Sequence, residues 1–323
     1  MAVETLEFEE PIAALLKEID ALALQPHTEG RDREIASLQR RIESVRAELY
    51  RSLTPWQCVQ VARHPNRPGL EDFITRLFTG FVELHGDRRF ADDHAIMTGF
   101  AEYRRQPVLL VGHVKGGDTK EKIFRNFGYA RPEGYRKALR AMRLAEKFRR
   151  PIIVFVDTPA AFPGIESEER GVAEAIAINL REMMLLDTPI VVIVSGEGGS
   201  GGALGIAVGD RVLMQEFAIY SVIPPEGCAA ILWRGDAAKK VEAADALKLT
   251  APDLLKAAII DEIIPEPIGG AHTNAAAAAD RVDRVLARVL GEVSAFDSHT
   301  RLARRYDKFR NIGRLGVDFV EKG

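Results

Sequence analysis

Four short apolar runs alternate with helix-like segments between about residues 95 and 290, and this alternation limits the fold more than any other feature of the sequence. The runs are PVLLVGHV, PIIVFVD, PIVVIVS and RVLMQEFAIYSVI. Three of them are nearly continuous in apolar residues, which is typical of strands buried on both faces of a sheet. Their β-α-β-α-β order predicts an α/β fold with parallel strands and right-handed crossovers.

Two amphipathic helices are expected between these strands. In PEGYRKALRAMRLAEKFRR the cations, Lys137 among them, are expected outside, and the inner face consists of Tyr135, Leu139, Met142 and Phe148. In SEERGVAEAIAINLREMMLLD the inner positions are Val172, Ile176, Asn179, Leu180 and Met183.

The sequence outside this region predicts two further segments. In PIAALLKEIDALAL and REIASLQRRIESVRAELY apolar residues recur at alternating spacings of three and four, which indicates a paired helical hairpin within residues 1–85. The hairpin either is self-contained or also contacts another subunit. Another helix is expected from about Glu71 to Glu83. Residues 86–290 form the main domain, and residues 291–323 are expected to form an exposed helix with a loose end.

Composition excludes several classes of protein. The 323 residues carry a net charge of -3, which gives no general signal for binding nucleic acid. Cys58 and Cys228 are too few for a zinc site and indicate free thiols in a reducing compartment. No apolar run approaches the ~18 residues that span a bilayer, and the acidic start is unlike a secretory signal. A cytoplasmic protein that binds no membrane and no metal is expected.

The glycine-rich stretch IVSGEGGSGGALGIAV, residues 193–208, follows the third buried strand and allows several interpretations. It fits the dinucleotide fingerprint G-x-G-x-x-G, with Glu216 as a ribose-binding acid, although the following helix is short. It also fits the nucleophile elbow G-x-S-x-G around Ser200, but the strand is expected to end near Ser195, and no aspartate is placed to orient His113 or His272. A flexible linker is a further possibility.

A cradle of backbone amides for a negative oxygen accounts best for this stretch. Gly201 and Gly202 stand at the start of a short helix, where N–H groups have no internal partner. Glycine matters there because a Cβ would block close approach. The predicted catalytic group is an oxyanion hole formed by the Gly201 and Gly202 amides.

Two other stretches follow strand ends, where ligands bind in α/β sheets. DTPAAFPG is rigid because of its prolines, and GHVKGGDTKEKIFRNFGYARPEG is rich in cations that could contact a phosphate or carboxylate. With the first glycine pair of the glycine-rich stretch, they supply the candidate substrate-binding residues: Gly198, Gly199, Phe162, Pro163, Gly164, Lys115, Lys120, Arg125 and Arg131.

Nine motifs in one order carry a resemblance to a known family. They include LTPWQCVQVARHPNRP, ELHGDRRFADDHAI, TKEKIFRNFG, DTPAAFPG, GEGGSGGALGI and YSVIPPEGCAAILW. Over nearly its whole length the chain resembles the alpha subunits of bacterial acetyl-coenzyme A carboxylase carboxyltransferases. It departs from them at Ala160, where glycine is usual, and in GGDTKEK, where GRETKEK is common.

The resemblance implies a crotonase-type fold of stacked ββα units and a partner, the beta subunit, which carries a zinc ribbon. It implies an α₂β₂ heterotetramer that works with a biotin carboxyl carrier protein and a biotin carboxylase. Carboxybiotin on the carrier would donate CO₂ to acetyl-coenzyme A, giving malonyl-coenzyme A for fatty acid synthesis. Gly201 and Gly202 would hold the ureido oxygen of biotin, and this chain would bind no cofactor covalently.

Other functions stay open at this point. A stand-alone crotonase-type hydratase or hydrolase would need a catalytic acid on this chain. A carboxyltransferase that uses propionyl-coenzyme A would look much alike. A non-enzymatic scaffold that assembles through the hairpin would tolerate substitutions in the glycine-rich stretch.

Overall fold

The computed structural model describes residues 5–314. The helices are α1 (Glu10–Ala23), α2 (Glu29–Arg51), α3 (Pro55–Ala62), α4 (Leu70–Leu77), α5 (Thr119–Phe124), α6 (Pro132–Lys147), α7 (Ile165–Glu169), α8 (Val172–Leu185), α9 (Ser200–Leu204), α10 (Pro225–Leu232), α11 (Lys240–Ala246), α12 (Ala251–Lys256), α13 (Ala275–Ser294) and α14 (Ser298–Asn311). The strands are β1 (Thr79–Glu83), β2 (Ile96–Tyr103), β3 (Gln106–His113), β4 (Ile152–Thr158), β5 (Ile190–Gly199), β6 (Arg211–Gln215), β7 (Ile219–Ser221) and β8 (Glu262–Ile264).

The strands form one mixed sheet in the order β1-β2-β3-β4-β5-β6-β8, and β7 pairs with the end of β5. The predicted apolar runs are its parallel centre, from β3 to β6. The antiparallel strands β1 and β2 and the short β8 were not predicted from the sequence. The α/β architecture and the parallel centre expected from the alternation are confirmed.

Helices cover both faces of the sheet. On one face α6 and α8 pack through Tyr135, Met142 and Met183 in the larger core cluster. On the other face α4 and α13 pack through residues such as Phe73 and Leu286. The centre of the sheet is therefore shielded from water, and the ends of β3, β4 and β5 are held on a rigid base.

The N-terminal hairpin is confirmed. Helices α1 and α2 pack through a stripe that contains Ile12, Leu15 and Ile42. The side chain of Thr28 caps α2 by accepting a hydrogen bond from the Arg31 amide, as expected for a residue that precedes a helix. The boundaries proposed near residues 85 and 290 stay predictions, and β1, which lies before the first of them, pairs with β2.

Two helix predictions were wrong in part. The helix expected to reach Glu83 ends at Leu77, and residues 79–83 form β1 instead, because they complete the edge of the sheet. Phe148, which follows α6, was expected inside but is exposed, and Lys137 on α6 was expected outside but is fully buried. The Lys137 ammonium donates to the Asp92 carboxylate (2.7 Å) and to the Asp93 carbonyl, so a specific charge partner overrides the amphipathic pattern.

The C-terminal helix α14 was expected to be exposed, but it is anchored by a buried arginine. Arg305 is 1% exposed and pairs with both oxygens of the Asp210 carboxylate at 2.8 Å. Its guanidinium also donates to the carbonyls of Met183, Leu186 and Thr188. The expected loose end beyond residue 314 lies outside the described residues.

Cys58 and Cys228 are free and buried. Between residues 5 and 314, no helix combines the length and the apolar character that a bilayer crossing requires.

Substituting Arg305 by alanine should destabilise the fold strongly, because it leaves Asp210 and three carbonyls without their donor. The expected loss in the free energy of unfolding is about 3–5 kcal/mol, the usual cost of removing one partner of a buried pair. The control is Arg310→Ala on the same helix, where the side chain is exposed. Urea unfolding of both variants measures the difference, and equal losses would contradict the anchoring role of Arg305.

Candidate active site

The glycine-rich stretch forms a sharp strand-to-helix turn. Strand β5 runs to Gly199 rather than ending near Ser195 as expected, and α9 begins at Ser200. Ser200 takes a positive φ of 50°. This conformation is energetically unfavourable for any residue other than glycine, so surrounding contacts must maintain it. The turn is therefore a held, strained feature rather than a linker.

Two glycines of this turn lie directly against the loop that follows β4. A Cβ on Gly199 would collide with the Pro159 carbonyl, and a Cβ on Gly202 would collide with the backbone of Ala160 and Ala161. Gly201 has room, because its nearest neighbour to a Cβ would be Ile176 at 3.6 Å. The close approach of the two segments thus needs glycine at 199 and 202.

The amides of Gly201 and Gly202 make no hydrogen bond to any residue in the described part of the chain. Gly201 is half-buried and Gly202 is buried. Their donors are unused by the fold, as the oxyanion-hole hypothesis requires.

The loop after β4 is fixed from its other side. The Thr158 hydroxyl donates to the Gly128 carbonyl at 2.7 Å, and the Phe162 amide donates to the Ala130 carbonyl at 2.9 Å. The Arg131 guanidinium lies 4.9 Å from the centre of the Phe162 ring. Two predicted binding residues, Arg131 and Phe162, therefore meet in one cation–π contact.

Lys115, predicted to bind substrate, pairs with two carboxylates. Its ammonium lies 2.6 Å from Asp157 and 2.7 Å from Glu197. Arg63 joins the other side of Glu197 at 2.5 Å and reaches Glu226 at 2.6 Å. These five residues form a charge network below the glycine turn, and Glu197 is its centre.

The network shifts the pKa values of its members. Burial pushes the pKa of the Glu197 carboxyl upward, but Lys115 and Arg63 outweigh burial and hold it below its ordinary value of 4.5. Burial likewise opposes the charge on Lys115, but Asp157 and Glu197 raise its pKa. Both groups therefore stay charged near neutral pH.

The remaining predicted binding residues are more dispersed. Lys120 is exposed on α5, and Arg125 donates to the His94 carbonyl and to Glu71. Pro163 is exposed, and Gly164 precedes the first turn of α7. Gly198 packs against the Tyr220 ring, and a Cβ on Gly198 would collide with that ring.

A cavity of about 580 Å³ opens at the carboxyl ends of β3 and β4, next to the charge network. Its lining includes Arg63, His113, Lys115 and Asp157. A smaller cleft lies between Gly198, Gly199 and the segment that leads into α10. Both openings lie at the edge of the sheet where ligands were expected.

The residues around the glycine turn give little support to two alternative interpretations, the nucleophile elbow and the dinucleotide fingerprint. For the nucleophile elbow, burial together with the Lys115 charge lowers the pKa of His113 to about 3, which makes it a poor base for Ser200. For the dinucleotide fingerprint, the Glu216 carboxylate accepts the Glu266 amide at 2.8 Å, and α9 has only five residues.

Three residues that contact this region were not predicted from the sequence to do so. Arg63 follows α3 and lies far from Glu197 in sequence, so no local pattern revealed their pairing. Tyr135 and Asn179 were expected to face inward, but their hydrogen bonds to the glycine helix were not foreseen. A polar asparagine among apolar inner positions was the available signal. Within residues 5–314 no cluster of three or more metal-ligating side chains occurs.

Solved structures with a similar fold identify the architecture. A 12S transcarboxylase matches with a TM-score of 0.55 and 18% identity, covering 69% of this chain and 42% of that one. A Pseudomonas malonate decarboxylase hetero-tetramer in complex with coenzyme A matches with a TM-score of 0.54 and 18% identity, covering 69% and 90%. The fold is the crotonase-like carboxyltransferase fold, as the resemblance implied.

Sequence comparison identifies the family. A family model described as acetyl co-enzyme A carboxylase carboxyltransferase-like matches residues 5–313. The acetyl-coenzyme A carboxylase carboxyl transferase subunit alpha of Geobacter metallireducens is 55% identical, covering 96% of this chain and 98% of its own length. The corresponding subunit of Thermosynechococcus vestitus is 52% identical, with 95% of each chain covered.

The chain belongs to the alpha-subunit family of acetyl-coenzyme A carboxylase carboxyltransferases. It is an enzyme component of the transferase class, and a second carboxyltransferase subunit is its partner. The expectation from the sequence motifs is confirmed, whereas a stand-alone hydratase or hydrolase finds no support in these comparisons.

Substituting Glu197 by glutamine should lower the free energy of unfolding by roughly 3 kcal/mol at pH 7, since Lys115 and Arg63 lose a buried partner. The pKa of Glu197 is lowered in the fold, so its stabilising effect is present above pH 4.5 and is lost as pH falls through the folded value.

The difference between wild type and Glu197→Gln should therefore shrink in unfolding experiments below pH 4.5. Glu292→Gln, which removes a partly exposed pair with Arg288, is the control and should cost less than about 1 kcal/mol. A Glu197→Gln difference that is small at pH 7, or that does not change with pH, would contradict the network.

Proposed function

We propose that this chain supplies the carboxybiotin half of a shared active site. Carboxybiotin on a carrier protein would donate its carboxyl group to acetyl-coenzyme A, giving malonyl-coenzyme A for fatty acid biosynthesis. The observation that carries this proposal is the pair of unused amides at Gly201 and Gly202, beside a glycine-dependent backbone contact.

The chemistry requires a group that stabilises negative charge. When carboxybiotin releases its carboxyl group, charge develops on the ureido oxygen of the ring. Preorganised amides that face such an oxygen stabilise the transition state more than the ground state. The Gly201 and Gly202 donors supply this stabilisation in a region where burial weakens screening by water.

The surrounding residues would hold and orient the substrates. Phe162 and Arg131 form a flat, charged wall beside the turn, and Pro163 and Gly164 continue it toward solvent. Gly198 and Gly199 line the adjoining cleft. Lys120 is free to contact an anionic substrate or carrier surface, whereas Lys115 and Arg125 act mainly by organising loops.

The partner would complete the site from the α10 side. Val222, Ile231 and Leu232 are 75%, 71% and 65% exposed, and they belong to the segment that borders the cleft at Gly198 and Gly199. Exposed apolar side chains beside a reactive cleft favour contact with another protein. We assign this contact to a zinc-bearing beta subunit in an α₂β₂ assembly.

The wider complex would include the biotin carboxyl carrier protein and a biotin carboxylase, and would act in the cytoplasm. Cys58 and Cys228, both free, suit a reducing compartment. Acetyl-coenzyme A is the proposed acceptor, and a propionyl-coenzyme A acceptor is the alternative that a substrate comparison would reveal.

Gly202→Ala should reduce carboxyl transfer by on the order of 10²–10³-fold, because the added Cβ forces the Ala160–Ala161 backbone away and misplaces the amide. Gly201→Ala is the matched control, since its Cβ has room, and its rate should stay within a few-fold of wild type. Rates are measured in the reconstituted two-subunit enzyme after thermal melting has confirmed folding. Wild-type turnover by a folded Gly202→Ala variant would contradict the proposal.

The purified chain alone should not catalyse biotin-dependent decarboxylation of malonyl-coenzyme A, and activity should appear when the zinc-bearing partner is added. The reason is that the enolate of the acyl thioester would be stabilised on the partner. The assay follows acetyl-coenzyme A release with and without free biotin. Substantial turnover by the chain alone would contradict the shared active site.

A further inference from the structure

Two buried polar side chains hold the glycine helix α9 from outside. The Tyr135 hydroxyl on α6 donates a hydrogen bond to the Gly202 carbonyl at 3.2 Å. The Asn179 side-chain amide on α8 donates to the Gly205 carbonyl at 2.9 Å and to the Tyr135 backbone carbonyl at 3.0 Å. Tyr135 therefore binds the middle of α9, and Asn179 binds the residue that follows α9 and also links α8 to α6.

These polar groups lie where apolar ones would be expected. Tyr135 is 0% exposed and Asn179 is 1% exposed, and their neighbours on the inner faces include Ala138, Met142 and Met183. The partners of both side chains are backbone carbonyls, which remain when a side chain is replaced, so an apolar residue at either position would leave a buried carbonyl without this donor. The hydroxyl and the amide therefore match polar backbone groups at and beside the glycine helix.

The glycine helix itself needs external support. A helix of five residues is too short to be stable by itself in water, because forming its first turn is unfavourable. Ser200 adds backbone strain at the point where β5 turns into α9. The direction of the Gly202 amide must therefore be fixed by contacts outside α9.

The geometry of those contacts is specific. Gly205 lets the Tyr135 ring approach, since a Cβ there would lie 2.8 Å from two ring carbons. The hydroxyl then reaches the carbonyl of Gly202, the residue whose α-carbon packs against the Ala160–Ala161 backbone. Burial raises the pKa of Tyr135, with the Asp93 charge adding to the shift, so the hydroxyl remains a donor at all working pH values.

We propose that Tyr135 and Asn179 are positioning residues for carboxyl transfer, which set the direction of the Gly202 amide by hydrogen-bonding Gly202 in α9 and Gly205 directly after it. They act through the glycine helix and do not touch substrate. This inference rests on the proposed oxyanion role of Gly202 and extends it to two residues outside the glycine turn.

The test uses Tyr135→Phe and Asn179→Leu in the reconstituted two-subunit enzyme, with malonyl-coenzyme A and free biotin as substrates. Each variant keeps the approximate size of its side chain: Tyr135→Phe removes the hydroxyl donor, and Asn179→Leu removes the side-chain amide. Each should lower kcat roughly tenfold and leave KM for malonyl-coenzyme A unchanged, as expected when an amide is misplaced by a fraction of an ångström. The double variant should lose less than the product of the single losses, because both act on one helix.

Tyr103→Phe is the matched control. Tyr103 is 2% exposed, and its hydroxyl donates to the Asp283 carboxylate on α13, away from the glycine turn. This variant should lower the melting temperature without changing kcat per folded enzyme. A purely structural role for Tyr135 would give the same result as this control, so a wild-type kcat in Tyr135→Phe or an equal loss in Tyr103→Phe would overturn the inference.

The Gly202→Ala variant distinguishes a failure of the positioning role from a failure of the proposed oxyanion role. If Gly202→Ala is inactive and the Tyr135 and Asn179 variants have the wild-type kcat, the positioning role is wrong and the proposed function stands. If folded Gly202→Ala has the wild-type rate, the oxyanion role itself is wrong.

Discussion

The backbone contact between the turn at Gly199–Gly202 and the loop at Pro159–Ala161 is the constraint on which the site depends. Side chains are excluded from this contact, because a Cβ on either terminal glycine of the turn would collide with main chain. The two segments follow adjacent parallel strands, β4 and β5, so the sheet brings them together. The Gly201 and Gly202 amides beside this contact have no hydrogen-bond partner within residues 5–314. Such free donors are the groups that stabilise an anion.

Polar groups on two sides keep this contact in place, and they do so by different means. On the charged side, Glu197 links Lys115 and Arg63 and so ties the end of β5 to β3 and to the residue that follows α3. On the buried side, neutral donors from α6 and α8 hold the short helix. Charges are used where the cavity admits water, and neutral donors are used where burying an unpaired charge would be costly.

The central sheet, the hairpin and the glycine turn could be predicted from the sequence, because each depends on local periodicity or composition. The adjacency of the turn and the loop after β4 followed from the rule that parallel strand ends share one edge. The burial of Lys137 and Arg305 could not be predicted, since their partners, Asp92 and Asp210, lie 45 and 95 residues away. The same reason hid the pairing of Lys115 with Glu197, which lie 82 residues apart.

The buried Arg305 has a consequence for the order in which the chain matures on the ribosome. The carbonyls of Met183, Leu186 and Thr188, which lead into β5, receive their guanidinium only when α14 has emerged, because Arg305 lies 122, 119 and 117 residues later. Domains generally fold during synthesis from the N-terminal end. The nascent protein therefore completes the segment that leads into β5 only at the end of translation, and a product terminated before α14 leaves these three carbonyls without the guanidinium.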